Sequence, residues 1–364
     1  MTLRVITAAD PAFTDAKWAF STRRVEQSEA DRLDPDVRAA VSGDLILGRV
    51  ASVGQHRRIQ LTTGRPSALY EGDLVVLACG ARYAPDQFEG VAEVDPDGAD
   101  MLAGGGCLGR MTAKNERVKA PTRIAPLGRI LRADGAVMNL ADYALPAATR
   151  APTIPAIAVF GASMNSGKTT AAGALVHGLR RAGRKVAALK GTGTGAFGDF
   201  NTYVDAGAHF VADFTDAGMV STYLQPLERV TAGIRDLLSA AEAAGAEIAV
   251  LEVADGVFQK ETAALMRDGG FRERLSGVIF ACGDPLAAAG GVGALTAAGL
   301  APMALTGIVS CSPMSTAEAE AATGVEVLRK SDLEDPAEAN RLAARVIADA
   351  STAPYDASVG VEAA

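Results

Sequence analysis

The densest chemistry in this 364-residue chain lies in GASMNSGKTT, residues 161–170. Ala162, four residues of any kind, then Gly167, Lys168 and Thr169 match the spacing of a phosphate-binding loop. Backbone N–H groups from Asn165 to Thr170, aided by the positive end of a following helix, are placed to cup phosphate oxygens. Gly161, Ser163, Asn165, Ser166, Gly167 and Thr170 are the loop positions expected to touch the nucleotide. Lys168 is expected to reach the β/γ oxygens, and the Thr169 hydroxyl to hold Mg²⁺.

Three further stretches could serve the same phosphate. IAVLEVADG, residues 248–256, ends an apolar run in Glu252, a carboxylate suited to Mg²⁺, with Asp255 either serving a substrate or only closing a turn. KGTGTGAFGD begins with Lys190, able to neutralise charge on a transferring phosphoryl group. It continues through Thr192 and Thr194, with Asp199 as a second metal carboxylate. ACGDPLAAAGGVGAL, residues 281–295, either lines a base or substrate pocket or simply packs a helix closely on a sheet.

Positioning these residues takes a particular scaffold. Apolar runs at 156–160, 185–190, 209–214, 247–252, 276–282 and 303–310 read as buried strands. Helical patterns at 169–182, 227–244, 286–299 and 336–350 alternate with them, which predicts a parallel sheet covered by helices on both faces. Before it, DLILGRVASV, HRRIQLTT, DLVVLACG and FEGVAEV alternate with Gly, Pro and Asp turns, as in small antiparallel barrels. PLGRILRADGAVMNL adds a hairpin turning at Asp134-Gly135. The expected organisation is a β-rich domain over 1–145, a Pro-rich linker over 146–155, a P-loop α/β domain over 156–350 and a flexible tail over 351–364.

Composition narrows the function classes. A formal charge of −8 and a pI near 5.1 argue against nucleic-acid binding, leaving a small anionic ligand with a local positive site. Cys79, Cys107, Cys282 and Cys311 are widely spaced, so neither a disulfide framework nor a Cys-rich zinc site is expected. Cys107, beside Arg110 in AGGGCLGRM, reads better as a small buried hydrophobe than as an activated thiol. Arg4 and Asp10 interrupt any apolar start, and the most apolar window, Ala281 to Thr306, is broken by Asp284, Pro285 and Pro302. A cytoplasmic protein with no membrane partner is the expectation.

The spacing Gly161, five residues, Gly-Lys-Thr resembles the loop of dethiobiotin synthetase and its relatives in the cobyrinic-amide synthase and MinD-like group. RKVAALKGTGTG resembles that group's second strand and substrate loop, and IAVLEVADG its acidic strand end, although Asp255 stands where glycine is expected. The same features, with AGAHF at 206–210, resemble the GTP-binding adaptor of molybdopterin-guanine dinucleotide biosynthesis. A third resemblance is to the two-domain D-glutamate N-acetyltransferase-type family. The similarity covers about residues 155–330. It implies an ATP- and Mg²⁺-dependent kinase or ligase acting on a small molecule, paired as a homodimer. GTP is the less favoured nucleotide, because GIVSCSPM lacks an Asn-Lys-x-Asp guanine reader. The alternatives implied are a nucleotide-switched adaptor in cofactor or metal-centre assembly, and an acyltransferase using the loop for a phosphate-bearing donor.

Overall fold

Alternate side chains of Leu45–Ser52 (β1) and Leu74–Cys79 (β2) enter different cores. Leu45, Leu47, Val76 and Ala78 join one cluster, while Ile46, Val50, Val75 and Leu77 join the other. A wall buried on both faces with a two-residue period suits a small barrel packed inside and covered outside. The computed structural model describes residues 11–352, and the structural statements below refer to these. Together with β3 (Ala99–Ala103), β4 (Cys107–Lys114) and β5 (Thr122–Leu131), the first two strands close a ring, β1–β2–β4–β3–β5–β1. The barrel is antiparallel except at β2–β4, which pair in parallel. HRRIQLTT contributes only Arg58–Gln60, a strand paired off the barrel with Pro66–Ala68.

The second half is a six-stranded, wholly parallel sheet. Its strands are β6 (Ala156–Gly161), β7 (Val186–Lys190), β8 (Phe210–Asp213), β9 (Ile248–Glu252), β10 (Gly277–Ala281) and β11 (Ala304–Thr306), in the order β8–β7–β9–β6–β10–β11. Ala156, Ala158 and Phe160 of β6 face one core with Leu237, Phe271 and Leu295. Ile157 and Val159 face the other, with Leu175, Leu179 and Leu342. Helices therefore cover both sides: α1 (Lys168–Arg181), α2 (Phe197–Asp205), α3 (Leu227–Ala243), α4 (Lys260–Arg267), α5 (Pro285–Ala297), α6 (Pro313–Thr323) and α7 (Pro336–Thr352). In α5, a Cβ at Gly291 would sit 2.0 Å from the Phe280 ring, so close helix–sheet packing accounts for that glycine.

Three expectations need correction. The run 303–310 is a strand only to Thr306, because Gly307 at φ 93° breaks it and Ile308–Cys311 form a 3-10 turn. Helix α2 falls outside the four helical patterns expected, since GAFGD carries the glycines of a turn. Helix α7 runs through Thr352, so residues 351–352 are helical; the rest of the expected tail, 353–364, and the polar start at Arg4 and Asp10 lie outside the described residues. Among the described residues no helix is long and apolar enough to cross a membrane.

The barrel seats on the sheet near the C-terminal ends of β7 and β8. Arg23 reaches Asp213 (3.1 Å), Asp216 and Thr215, and lies over the rings of Phe20 and Phe200. The Phe197 N–H donates to Gln60 at 2.7 Å, and the Tyr223 hydroxyl donates to Glu89 at 2.8 Å. Val220 joins the barrel core itself.

Candidate nucleotide site

Strand β6 delivers the chain to the loop, and α1 leaves it. Gly161 is required by packing: a Cβ there would meet Ser166 Oγ at 2.4 Å and the Lys168 stem at 2.7 Å. Asn165 (φ 65°) and Gly167 (φ 104°) adopt the left-handed conformation that turns the chain into the helix. The backbones of Gly256 and Gly307 wall the loop, since a Cβ on either would strike Ala162 O at 2.4 Å or Ser166 O at 2.3 Å. Lys168 is buried and donates to Ser163 O at 2.9 Å, and it makes no ion pair among the described residues. Burial pushes its ammonium below the usual lysine range, opposed by Glu252 and Asp255. Ser166 Oγ is buried without a hydrogen-bond partner.

Parallel register brings the charged residues together. Lys190 and Val159 are the cross-strand partners of Glu252, and register partners on adjacent strands project to the same side. Lys190 Nζ is ion-paired with Asp199 and lies 3.7 Å from Glu252. Burial alone would lower the Lys190 ammonium, but Glu252 and Asp199 outweigh it and the net shift is upward. Burial would raise Asp199, and Lys190 reverses that to a net lowering. Thr169 Oγ1 stands 3.0 Å from Glu252 and 3.1 Å from Asp199, its single proton serving one carboxylate at a time. A hydroxyl between two carboxylates is a hard-oxygen donor set that fits Mg²⁺, which takes one or two carboxylates and keeps waters and phosphate oxygens for the rest.

The remaining expected residues divide. Asp255, joined to Ala254 by a cis peptide bond, lines the phosphate cavity. Its carboxyl is pushed up to about 6 by burial, with Lys168 and Lys190 pulling the other way. Thr194 lines the same cavity, about 450 Å³ in volume, with Lys168, Thr169, Thr170, Lys190 and Glu252. Thr192 lies outside that cavity, because its hydroxyl is spent on Ala254 O, bracing the turn that carries Asp255. The Ser163 hydroxyl turns to Met164 O, and the Asn165 amide reaches Asp86 of the barrel at 3.1 Å. Those two loop residues therefore offer backbone rather than side chain to a ligand in this arrangement.

Several contributors escaped the sequence reading. Tyr203 is fully buried and donates its hydroxyl to Glu252; its place one helical turn after Asp199 was the available signal. Arg82 and Tyr83, from the barrel, line the phosphate cavity, and nothing in the linear sequence links them to residue 168. Tyr83 and Tyr223, ring centroids 5.6 Å apart, also line an adjoining chamber of about 60 Å³ with Leu227, Val230 and Leu265. Asp255 lines both spaces. On the other side of α1, a cavity of about 650 Å³ is bounded by Gly167, Thr170, Gly307, Cys311, Arg329 and Lys330. Cys107 is buried, and burial pushes its thiol up to about 12, which is the chemistry of a packed hydrophobe.

No family model matches the chain, and no curated protein matches it. Solved structures share part of the arrangement. The signal recognition particle 54 kDa protein from Aeropyrum pernix K1 in complex with GDP is 21% identical at a TM-score of 0.36, over 55% of this chain and 48% of that one. The signal recognition particle receptor FtsY from Elizabethkingia anophelis is 18% identical at 0.36, over 50% and 59%. The same receptor in complex with GDP is 16% identical at 0.35, over 52% and 60%. The chain thus spans between 48% and 60% of the structures it resembles. The dethiobiotin synthetase, MinD-like, molybdopterin-adaptor and D-glutamate N-acetyltransferase-type resemblances have no counterpart among these three.

Proposed function

We propose that the protein is an ATP- and Mg²⁺-dependent enzyme that transfers a phosphoryl group to, or ligates, a small molecule. The observation that carries this reading is the convergence of Lys168, Thr169, Lys190, Asp199 and Glu252, from four separate elements of sequence, around one cavity under the glycine loop. Lys168 leaves its contact with Ser163 O and takes phosphate oxygens, helped by the loop N–H groups. Thr169, Glu252 and Asp199 would hold Mg²⁺, which would supply neutralisation of phosphate charge when bound. Lys190, held from both sides by carboxylates, keeps a positive charge beside the transferring group. Asp255, standing between the phosphate cavity and the tyrosine-lined chamber, accepts a proton from a substrate in that chamber.

The reading of an enzyme over a switched adaptor is supported by a small tyrosine-lined recess that adjoins the phosphate site and shares Asp255 with it. ATP is preferred to GTP because GIVSCSPM, which borders the cavity beyond α1, offers no carboxylate to read guanine. Calorimetry with ATP and with GTP in Mg²⁺ tests the reading. Wild type should bind ATP more tightly, and Lys168→Ala should abolish the binding. Unchanged affinity in that variant would remove the basis for the assignment. Turnover that rises only with a metabolite present would separate the enzyme from a switch.

A further inference from the structure

Arg82 is 8% exposed. Its Nη1 is held by the carbonyl of Leu102 and by the Gln87 side-chain oxygen (3.2 Å), both neutral acceptors. Its Nε is buried and makes no hydrogen bond. Among the described residues no carboxylate lies in ion-pair contact with it; Asp86 and Asp255 act on it only from farther away. A cation taken out of water without a counter-ion is costly, and buried charges are as a rule paired, so an anion brought to this guanidinium would complete it. Burial accordingly pushes this guanidinium below the usual arginine range.

Arg82 is also among the residues lining the phosphate cavity with Lys168 and Lys190, close enough to Asp255 of that cavity for each to act on the other's charge. The segment that carries it is fastened to the loop, since Asp86, four residues on, accepts from Asn165 at 3.1 Å. Its neighbour Tyr83 faces both the phosphate cavity and the adjoining chamber. Arg82 thus comes to the cavity from the barrel, while helix α1 and strand β7 of the other half supply the two lysines.

We propose that Arg82 is the barrel's contribution to the nucleotide site, a guanidinium that binds the terminal phosphoryl oxygens of a bound nucleoside triphosphate. This rests on the nucleotide reading above and adds to it a reason for the barrel to be attached. A planar guanidinium with free N–H groups is suited to a phosphate edge, and the contact exists only while the terminal phosphoryl group is present. It therefore distinguishes triphosphate from diphosphate.

The test is calorimetry of wild type, Arg82→Lys and Arg82→Gln with the non-hydrolysable imido analogues of ATP and GTP and with ADP and GDP, all in Mg²⁺. Wild type should prefer the triphosphate form of its nucleotide. Both variants should lose about tenfold or more in triphosphate affinity while diphosphate affinity stays within about twofold. Equal losses for both nucleotides, or no loss for either, would overturn the proposal. If Arg82→Gln melts early because Leu102 O loses its donor, Arg82→Lys, which keeps a cation and a donor, carries the decision. Failure of wild type to bind any of the four probes would instead sink the nucleotide reading itself.

Discussion

Gly105 of the barrel lies directly against Gly195 of the loop that follows β7: a Cβ on Gly105 would stand 1.9 Å from the Gly195 carbonyl oxygen. The Gly105 carbonyl is itself taken by the Ser21 N–H at 3.0 Å, and the Gly195 N–H by Val220 O at 2.9 Å. Two glycine-rich stretches, AGGGC and GTGTG, thus meet backbone to backbone at the seam between barrel and sheet. The loop pinned there joins Lys190 to Asp199, and Thr194 and Ala196 on either side of Gly195 line the cavity, so the seam helps to set the position of the site.

Gly105→Ala should therefore weaken the whole protein and its ligand binding together. The methyl group meets backbone rather than a flexible side chain, so one partner must shift, at a cost of about 1–3 kcal/mol. Chemical denaturation is expected to show that loss, with poorer nucleotide affinity in the folded variant. A midpoint equal to wild type would mean the seam is looser than these contacts describe.

Arg23 makes a second prediction at the same seam. It serves Asp213 and Asp216 at once, both buried. Burial and the neighbouring Asp213 push the Asp216 carboxyl up to about 6 even with Arg23 present. Arg23→Met would leave two carboxylates facing each other without a cation, a loss of about 3–5 kcal/mol by analogy with other broken buried pairs. Adding Asp216→Asn to that variant should recover part of it. A double variant no more stable than Arg23→Met would show that the carboxylate pair is not the cause.

Asp255 gives a pH signature. Its folded carboxyl titrates near 6, above the unfolded value of 3.8, with burial as the leading cause. The folded state therefore holds this proton more strongly than the unfolded chain does. Its contribution to stability is fully present below 3.8 and is lost as pH rises through about 6. Melting curves of wild type should fall relative to Asp255→Asn over that window, and run parallel to it above. Parallel curves throughout would mean that the carboxyl is as well solvated as in the unfolded chain.

The sequence shows local order well and spatial convergence poorly. Strands β6, β7, β9 and β10 fall within a residue or so of their apolar runs, because a strand buried on both faces must be continuously apolar. Lys168, Thr169, Lys190 and Glu252 were legible because each sits at the end of such an element or in a loop of fixed spacing. Helix α2 was not, because Gly198 and the glycines before it imitate a turn, while tertiary contacts such as the buried Tyr203 hold the helix. Arg82 was illegible for another reason: the barrel's docking brings it to the cavity, and docking has no periodicity to read.

The four cysteines offer a last test, one that reports on the cavity beyond α1. Cys79, Cys107 and Cys282 are buried, and Cys311 is exposed at the edge of that cavity, beside Ile308 and Ser310. Burial pushes the Cys107 and Cys282 thiols up to about 12, so neither offers a thiolate at neutral pH. An aromatic disulfide reagent should therefore modify one thiol quickly in the native protein and all four only after unfolding. Gly167 and Thr170 line both this cavity and the phosphate cavity, so a nucleotide bound as proposed is expected to extend its base and sugar from one into the other. Bound nucleotide is then expected to slow the fast thiol several-fold, while inorganic triphosphate, which has no base, leaves it unprotected. Equal protection by both ligands, or by neither, would place the base elsewhere on the sheet edge.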